Sequence, residues 1–340
     1  MKSAASSETH PTAFSNGQND QPLAHLQDLL DKIHAKYKHV DDGQVATYIP
    51  ELGKADPSHF AICLATADGR IFRAGDCHQE FTIQSMCKPF AFQLALEQCG
   101  LEKTFQHVGV EPSGEAFNSI ELDPRTTRPF NPMVNAGAIA VSSLIKKAPV
   151  EAGIQDFVDR MSLAANRSLR IDYAVMRSEA LTGNRNRAIA YLMRNFEIID
   201  EYLHESLQQY FAQCSVLVNC EDMAVMGATI ANMGRNPFTG QQVFDFQYLK
   251  YVLSVMFTCG LYDYAGGWAH EVGLPAKSGV SGGIFGVVNR QLGLSVYSPK
   301  LDAQGNSVRG ILACKELASH LGLHAFEFTN VGSSFMQWML

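Results

Sequence analysis

Strand-like sequence is confined to two groups at opposite ends of the chain, and neither group is large enough to stand alone. "HFAICLATADGRIFRAGD" (59–76) carries two β-rich runs around Asp68-Gly69, a strong hairpin signal. "GGIFGVVN" (282–289) and "LGLSVYSP" (292–299) read as two more strands. A two-stranded unit is marginal in water, so the four runs are expected to pair into one antiparallel sheet. Between about 86 and 262 the chain reads mainly as helices separated by Gly, Pro and Asn loops, such as "KPFAFQLALEQCG", "NAGAIAVSSLIKK", "NRAIAYLMRNF" and "EDMAVMGATIANMG". Two further helices flank the strand groups. Leu23, Leu26, Leu29, Leu30 and Ile33 recur at helical spacing in 23–40, and "SVRGILACKELASHLGL" (307–323) reads likewise. The expected class is α+β, an antiparallel sheet with a helical insertion packed beside it.

Composition narrows the function. Across 340 residues, 46% hydrophobic and 18% charged, the chain has what a large soluble core needs. A net charge of −7 with no basic run leaves nothing to neutralise phosphates, so no nucleic-acid partner is expected. No apolar run reaches the length of a membrane span, and the polar start has no secretory-signal core. The eight cysteines show neither CxxC pairs nor zinc-ligand spacing, and most lie in apolar sequence. They are expected to be reduced, mostly buried thiols of a cytoplasmic protein, with no metal site.

"FTIQSMCKPF" (81–90) places Ser85 three residues before Lys88, where a β-like run gives way to an apolar helix. The spacing alone is weak, since about one or two Ser-x-x-Lys matches are expected by chance, and Ser143-Leu-Ile-Lys146 is another. Context separates the two. Ser143 lies inside an apolar helical run, whereas Ser85 opens a helix, where unpaired N–H groups favour an anion. A buried Lys88 on the same face could take the serine proton. Read alone, Ser85 could equally be an N-cap. Lys277-Ser278-Gly279, the chain's one Lys-[Ser/Thr]-Gly, tips the balance. Ser-x-x-Lys hydrolases pair their motif with such a triplet on an edge strand, and a second cation there would help to depress Lys88. Tyr210 and Tyr262 are candidates for a third polar element. Asn135, Glu179 and Asn186 lie around helix starts, and one carboxylate with amides and hydroxyls suits an amino-acid ligand.

At this point the chain resembles the serine-dependent glutaminases. "TYIPEL", "IQSMCKPF", "EPSGEAFN", "NPMVNAGAI", "RSEALTGNRNRAIAY", "YFAQCS", "CGLYDYAGG" and "GLPAKSGVSGGI" are similar to that family's successive blocks, in the family's order, from about Tyr48 to Gly283. The resemblance is to the short bacterial type. It implies a β-lactamase/transpeptidase-like fold and hydrolysis of L-glutamine to L-glutamate and ammonia, with no cofactor and no metal. It also implies Ser85 as nucleophile, Lys88 as base, and substrate contacts at Tyr48, Gln84, Ser85, Asn135, Glu179, Asn186, Tyr210, Tyr262 and the backbone of Val280. The N–H groups of Ser85 and Val280 would form the oxyanion hole, with Lys277, Ser278 and Gly279 in support. Which of Tyr262 and Tyr210 relays the proton stays open. A homodimer or homotetramer is the family's expectation. The expected organisation is a tail (1–22), one domain (23–325, with sheet parts 23–85 and 263–325 around the helical insertion 86–262), and a second tail (326–340). A penicillin-recognising serine hydrolase and a non-catalytic amino-acid-binding module are the rivals.

Overall fold

The computed structural model describes residues 20–114 and 119–327. Most of both expected tails, and residues 115–118 of the "EPSGEAFN" block, lie outside the described residues. The first helix, α1 (Asp20–Tyr37), starts inside the expected N-terminal tail and leads through β1 (Gln44–Val45) to the hairpin β2 (Ala61–Thr66) and β3 (Ile71–Gly75). β4 (Phe81–Thr82) and a 3-10 turn over Gln84–Cys87 run into α2 (Lys88–His107). The middle holds α3 (Asn135–Ile145), α4 (Val150–Ala165), β5 (Arg170–Ile171), α5 (Tyr173–Thr182), α6 (Asn184–Asn195) and α7 (Leu203–Cys214). It continues through β6 (Val216–Val218), α8 (Cys220–Ala231) and α9 (Phe246–Cys259). A 3-10 turn over Tyr262–Tyr264 and α10 (Ala265–Glu271) return the chain to β7 (Ala276–Ser278), β8 (Gly283–Val288), β9 (Leu292–Tyr297), β10 (Lys300–Leu301) and α11 (Val308–Leu321).

The two strand groups meet as expected. The sheet order is β3-β2-β9-β8-β7, antiparallel throughout, and β2 joins β9 from Ala61 opposite Tyr297 to Thr66 opposite Leu292. Both faces are covered. Ile62 and Leu64 of β2, Ile284 of β8 and Leu294 of β9 pack with Leu30, Ile33, Trp268 and Leu317 of the helices on one side. Ala61, Cys63, Ala65, Phe285 and Val287 join Met223 and Ala224 of α8 in the core on the other. With side chains of both parities buried, these strands read as continuous apolar runs, although antiparallel sheets usually alternate. The class is α+β.

The middle is mainly helical, as expected, but it also carries two short strands that the sequence did not single out. β4, β6 and β5 form a second antiparallel sheet, with Phe81 opposite Val218 and Arg170 opposite Leu217. Strands of two or three residues are too short for alternation to register. Their pairing is buttressed by charge, since Glu80 bonds Arg167 and Arg170 while Arg167 also grips Asp222. The small sheet fixes the entry to α2: Ile83 N–H donates to Val216 O at 2.8 Å, and the Phe81 ring stacks on Tyr297 with centroids 4.0 Å apart. All eight cysteines are free thiols, and seven of them are buried. Among the described residues, no helix is long and apolar enough to cross a membrane.

α8 lies against β9 because glycine faces glycine there. A Cβ added at Gly293 would stand 2.2 Å from both Ala224 O and Ala228 N, and Gly227 abuts the Gly293 Cα. Backbone cannot yield as a flexible side chain does. Gly293→Val is therefore expected to cost about 3 kcal/mol or more, read as a lower urea midpoint at unchanged slope.

Candidate active site

Ser85 lies in the 3-10 turn Gln84–Cys87, two residues past the Ile83 tether to β6. The 3-10 turn closes where Lys88 N–H donates to Ser85 O, so residues three apart share a side of the turn without any α-helical start at Ser85. This refines the sequence reading. α2 begins only at Lys88, its N-cap is Cys87, and no side chain caps either helical segment. Ser85 is not an N-cap, so its hydroxyl is not committed to that use. The turn is opened by Gln84 at φ +50, a left-handed conformation that costs a non-glycine residue about 1–3 kcal/mol. Gln84 Nε2 donates to Glu179 Oε1 at 2.7 Å, which helps to hold it there.

Lys88 is buried, and its Nζ donates to Met133 O at 3.1 Å and Asn135 Oδ1 at 2.8 Å. Burial lowers its pKa to about 8. Desolvation is the main cause, and Lys88 and the buried Lys277 repel one another, the repulsion falling on the Lys277 amine. Asn135 opens α3 and is the hub of the site. Its Oδ1 also accepts from the Tyr210 hydroxyl at 3.3 Å, and its Nδ2 donates to Asn186 Oδ1 at 3.0 Å. Asn186 sits in the first turn of α6, and Tyr210 is buried in α7. Glu179, in α5, is buried as well. Desolvation pushes its carboxyl up to about 7, with Gln84 and Lys88 pulling the other way.

Gly279 shows why the downstream triplet matters. A Cβ there would lie 3.0 Å from Ile83 O and 3.4 Å from Gln84 Cβ, so the edge strand β7 ends directly against the serine turn. Val280 follows in the turn that Gly282 N–H closes onto Gly279 O, and its own N–H is not used by that bond. Lys277 is buried, with Nζ 2.8 Å from both Gly260 O and Ser278 O. Ser278 is buried beside it. Tyr262, a second non-glycine residue in the left-handed region (φ +52), donates its hydroxyl to Ser278 O at 3.3 Å. Burial raises the Tyr262 phenol, and hydrogen bonding with Ser85 and Ser278 partly opposes that.

Tyr48, Gln84, Ser85, Asn135, Glu179, Asn186, Tyr210 and Val280 all line one cavity of about 280 Å³, the size of a small amino acid with water. Tyr48 stands half exposed. Lys88 lies buried beneath the cavity, and Tyr262 lines a second one of about 260 Å³. Ile49, Thr182, Gly183 and Arg185 also line the first cavity and were not singled out from sequence. For Thr182, Gly183 and Arg185 the available signal was adjacency in "LTGNRN". The Met133 carbonyl that holds Lys88 leaves no trace in side-chain chemistry. The second Ser-x-x-Lys is dispersed: Ser143 Oγ donates to Ala140 O, and Lys146 pairs with Asp200 at 2.7 Å. A hydroxyl and a buried carboxylate line one small cavity, with an amine lowered toward neutral pH buried beside it, a set of groups chemically able to support acyl transfer and to face a cationic ligand group.

Comparison with known proteins agrees. The glutaminase family pattern matches residues 43–326. Glutaminases of Trichormus variabilis and Nostoc sp. are 52% and 51% identical, over 90% and 91% of this chain and 92% of each relative. A solved probable glutaminase superposes with a TM-score of 0.87 at 37% identity, covering 89% of this chain and 99% of that one. The structure of Mglu in its glutamate form gives 0.85 at 41% identity, covering 91% and 71%.

Gly279→Val is expected to push the serine turn off β7. The readout is faster amide exchange in peptides covering 83–87, with β8 and β9 unchanged; an unmoved turn would show that the glycine is dispensable.

Proposed function

The chain belongs to the glutaminase family and hydrolyses glutamine, and we propose that it does so through a glutamyl ester on Ser85 with Lys88 as general base. The observation that carries this reading is Lys88 itself: a buried amine, lowered to about 8, three residues after Ser85 and tied to it by its own N–H, which donates to Ser85 O. Near neutral pH, a usable fraction of it is the free amine.

In the first half-reaction, Lys88 takes the Ser85 proton as Oγ attacks the side-chain amide carbon of L-glutamine. The N–H groups of Ser85 and Val280 hold the oxyanion, each contributing roughly 3–4 kcal/mol. The C–N bond then breaks and ammonia departs, protonated by Lys88 or a tyrosine. Of the two candidates, Tyr262 has Ser85 among its hydrogen-bonding neighbours, whereas Tyr210 faces Asn135. Water then hydrolyses the ester by the reverse route. Glu179 receives the substrate ammonium. Because Asn186 Oδ1 is already accepting from Asn135, the Asn186 amide donors remain to hold the carboxylate.

One domain spanning 23–325 belongs to the same proposal, because the five-stranded sheet draws strands from both ends of it. So do a cytoplasmic location and assembly as a homodimer or homotetramer.

Ser85→Ala is expected to lower ammonia release from glutamine by roughly a thousandfold or more. A reactive glutamine analogue should leave an adduct on Ser85 by mass spectrometry, and activity near wild type in the variant would remove the assignment.

The pH dependence has two parts. As base, Lys88 must lose its proton, so kcat/KM is expected to climb through about pH 8. Glu179 must be ionised to hold an ammonium, so KM is expected to rise as pH falls below about 7. Glu179→Gln should raise KM throughout and abolish that lower dependence while leaving the rise near pH 8.

A further inference from the structure

Lys277 has no place in the mechanism above, yet it is a buried lysine at the edge of the site; burial and Lys88 push its pKa well below the ordinary lysine value, while the groups around it favour the charged form. Its surroundings are unusually complete. An ammonium has three donors and no acceptor. Here two N–H groups go to Gly260 O and Ser278 O, each at 2.8 Å, and Nζ lies 4.1 Å from the centroid of the Tyr262 ring. Two carbonyls and an aromatic face together accept all three hydrogens. The Ser278 carbonyl is shared, for it also accepts the Tyr262 hydroxyl at 3.3 Å. Gly260 can come this close because it lacks a side chain: a Cβ there would collide with Ala276 O.

We infer that Lys277 is a positioning residue for Tyr262, holding its ring in the left-handed turn and stabilising negative charge on its oxygen as it exchanges a proton with Ser85 or the departing ammonia. In penicillin-recognising enzymes the corresponding triplet is part of the active site; here the lysine acts on the substrate only through the tyrosine. The inference rests on the reading of Tyr262 as a proton carrier.

A double-mutant cycle tests it, using kcat and KM for glutamine with Lys277→Met, Lys277→Arg, Tyr262→Phe and the Lys277→Met/Tyr262→Phe pair. Phenylalanine keeps the ring face and removes only the hydroxyl. Lys277→Met is expected to lower kcat about 30-fold with KM within about threefold, and Lys277→Arg to recover much of that loss. In the Tyr262→Phe background, Lys277→Met should cost less than about threefold further. An equal loss in both backgrounds, or a loss confined to KM, would overturn the inference. Wild-type kcat in Lys277→Met would do so as well. Near-wild-type kcat in Tyr262→Phe alone would instead remove the proton-carrier reading on which it rests. If Lys277→Met fails to fold by circular dichroism, Lys277→Gln replaces it in the same cycle.

Discussion

The site depends on keeping Lys88 out of water. A buried ammonium is costly unless hydrogen-bonded, and two acceptors reach it, the Met133 carbonyl and the Asn135 amide oxygen. They come from the segment that enters α3, while the lysine itself begins α2. Packing between those helices therefore sets the basicity of the amine. The same Asn135 oxygen accepts from Tyr210, and its nitrogen engages Asn186, so α2, α3, α6 and α7 are locked to one side chain. Loss of a single amide would loosen four helices around the cavity.

The sheet supplies the other half. β7 has only three residues, and its value is positional: it ends on Gly279, against the carbonyl of Ile83. Ile83 is in turn pinned to β6. The serine turn is thus held between an edge strand of the large sheet and the central strand of the small one. Two non-glycine residues, Gln84 and Tyr262, take left-handed conformations at this seam, and the strain persists because the surroundings over-determine it.

Much of this was legible in the sequence, for physical reasons that differ by element. The five-stranded sheet followed from incompleteness, since two isolated strand groups had to pair. Asn135, Glu179, Asn186 and Tyr210 followed from chemistry that repeats wherever an amino acid is held, while Tyr48, Gln84 and Val280 came only through the family resemblance. What stayed hidden were features with no periodicity. β5 and β6 are too short to alternate, whereas β4 falls in the run that read as β-like before Ser85. The 3-10 turn differs from an α-helical start by one hydrogen-bond register, so Ser85 read as a helix opener. The depression of Lys88 by burial was anticipated as a condition, but whether the lysine is buried is a property of packing that the sequence does not show. The Met133 carbonyl was invisible because every residue has one.

The two buried ionisable groups also oppose stability in overlapping pH windows. Glu179 has a folded pKa of about 7, above its ordinary 4.5, so its burial penalty is absent below 4.5 and complete above 7. Lys88 has a folded pKa of about 8, below its ordinary 10.5, so its penalty is complete below 8 and gone above 10.5. Between about pH 7 and 8 the folded chain carries both penalties at once, relieved only in part by the attraction of the two charges. That is also the range in which an ionised Glu179 and a partly neutral Lys88 coexist. On the proposed reading a ligand ammonium seated on Glu179 replaces the lost water with charge, so glutamine or glutamate should stabilise the fold most where the empty site is least comfortable. The site's readiness for the reaction and its cost to the fold are then the same buried charges seen from two sides.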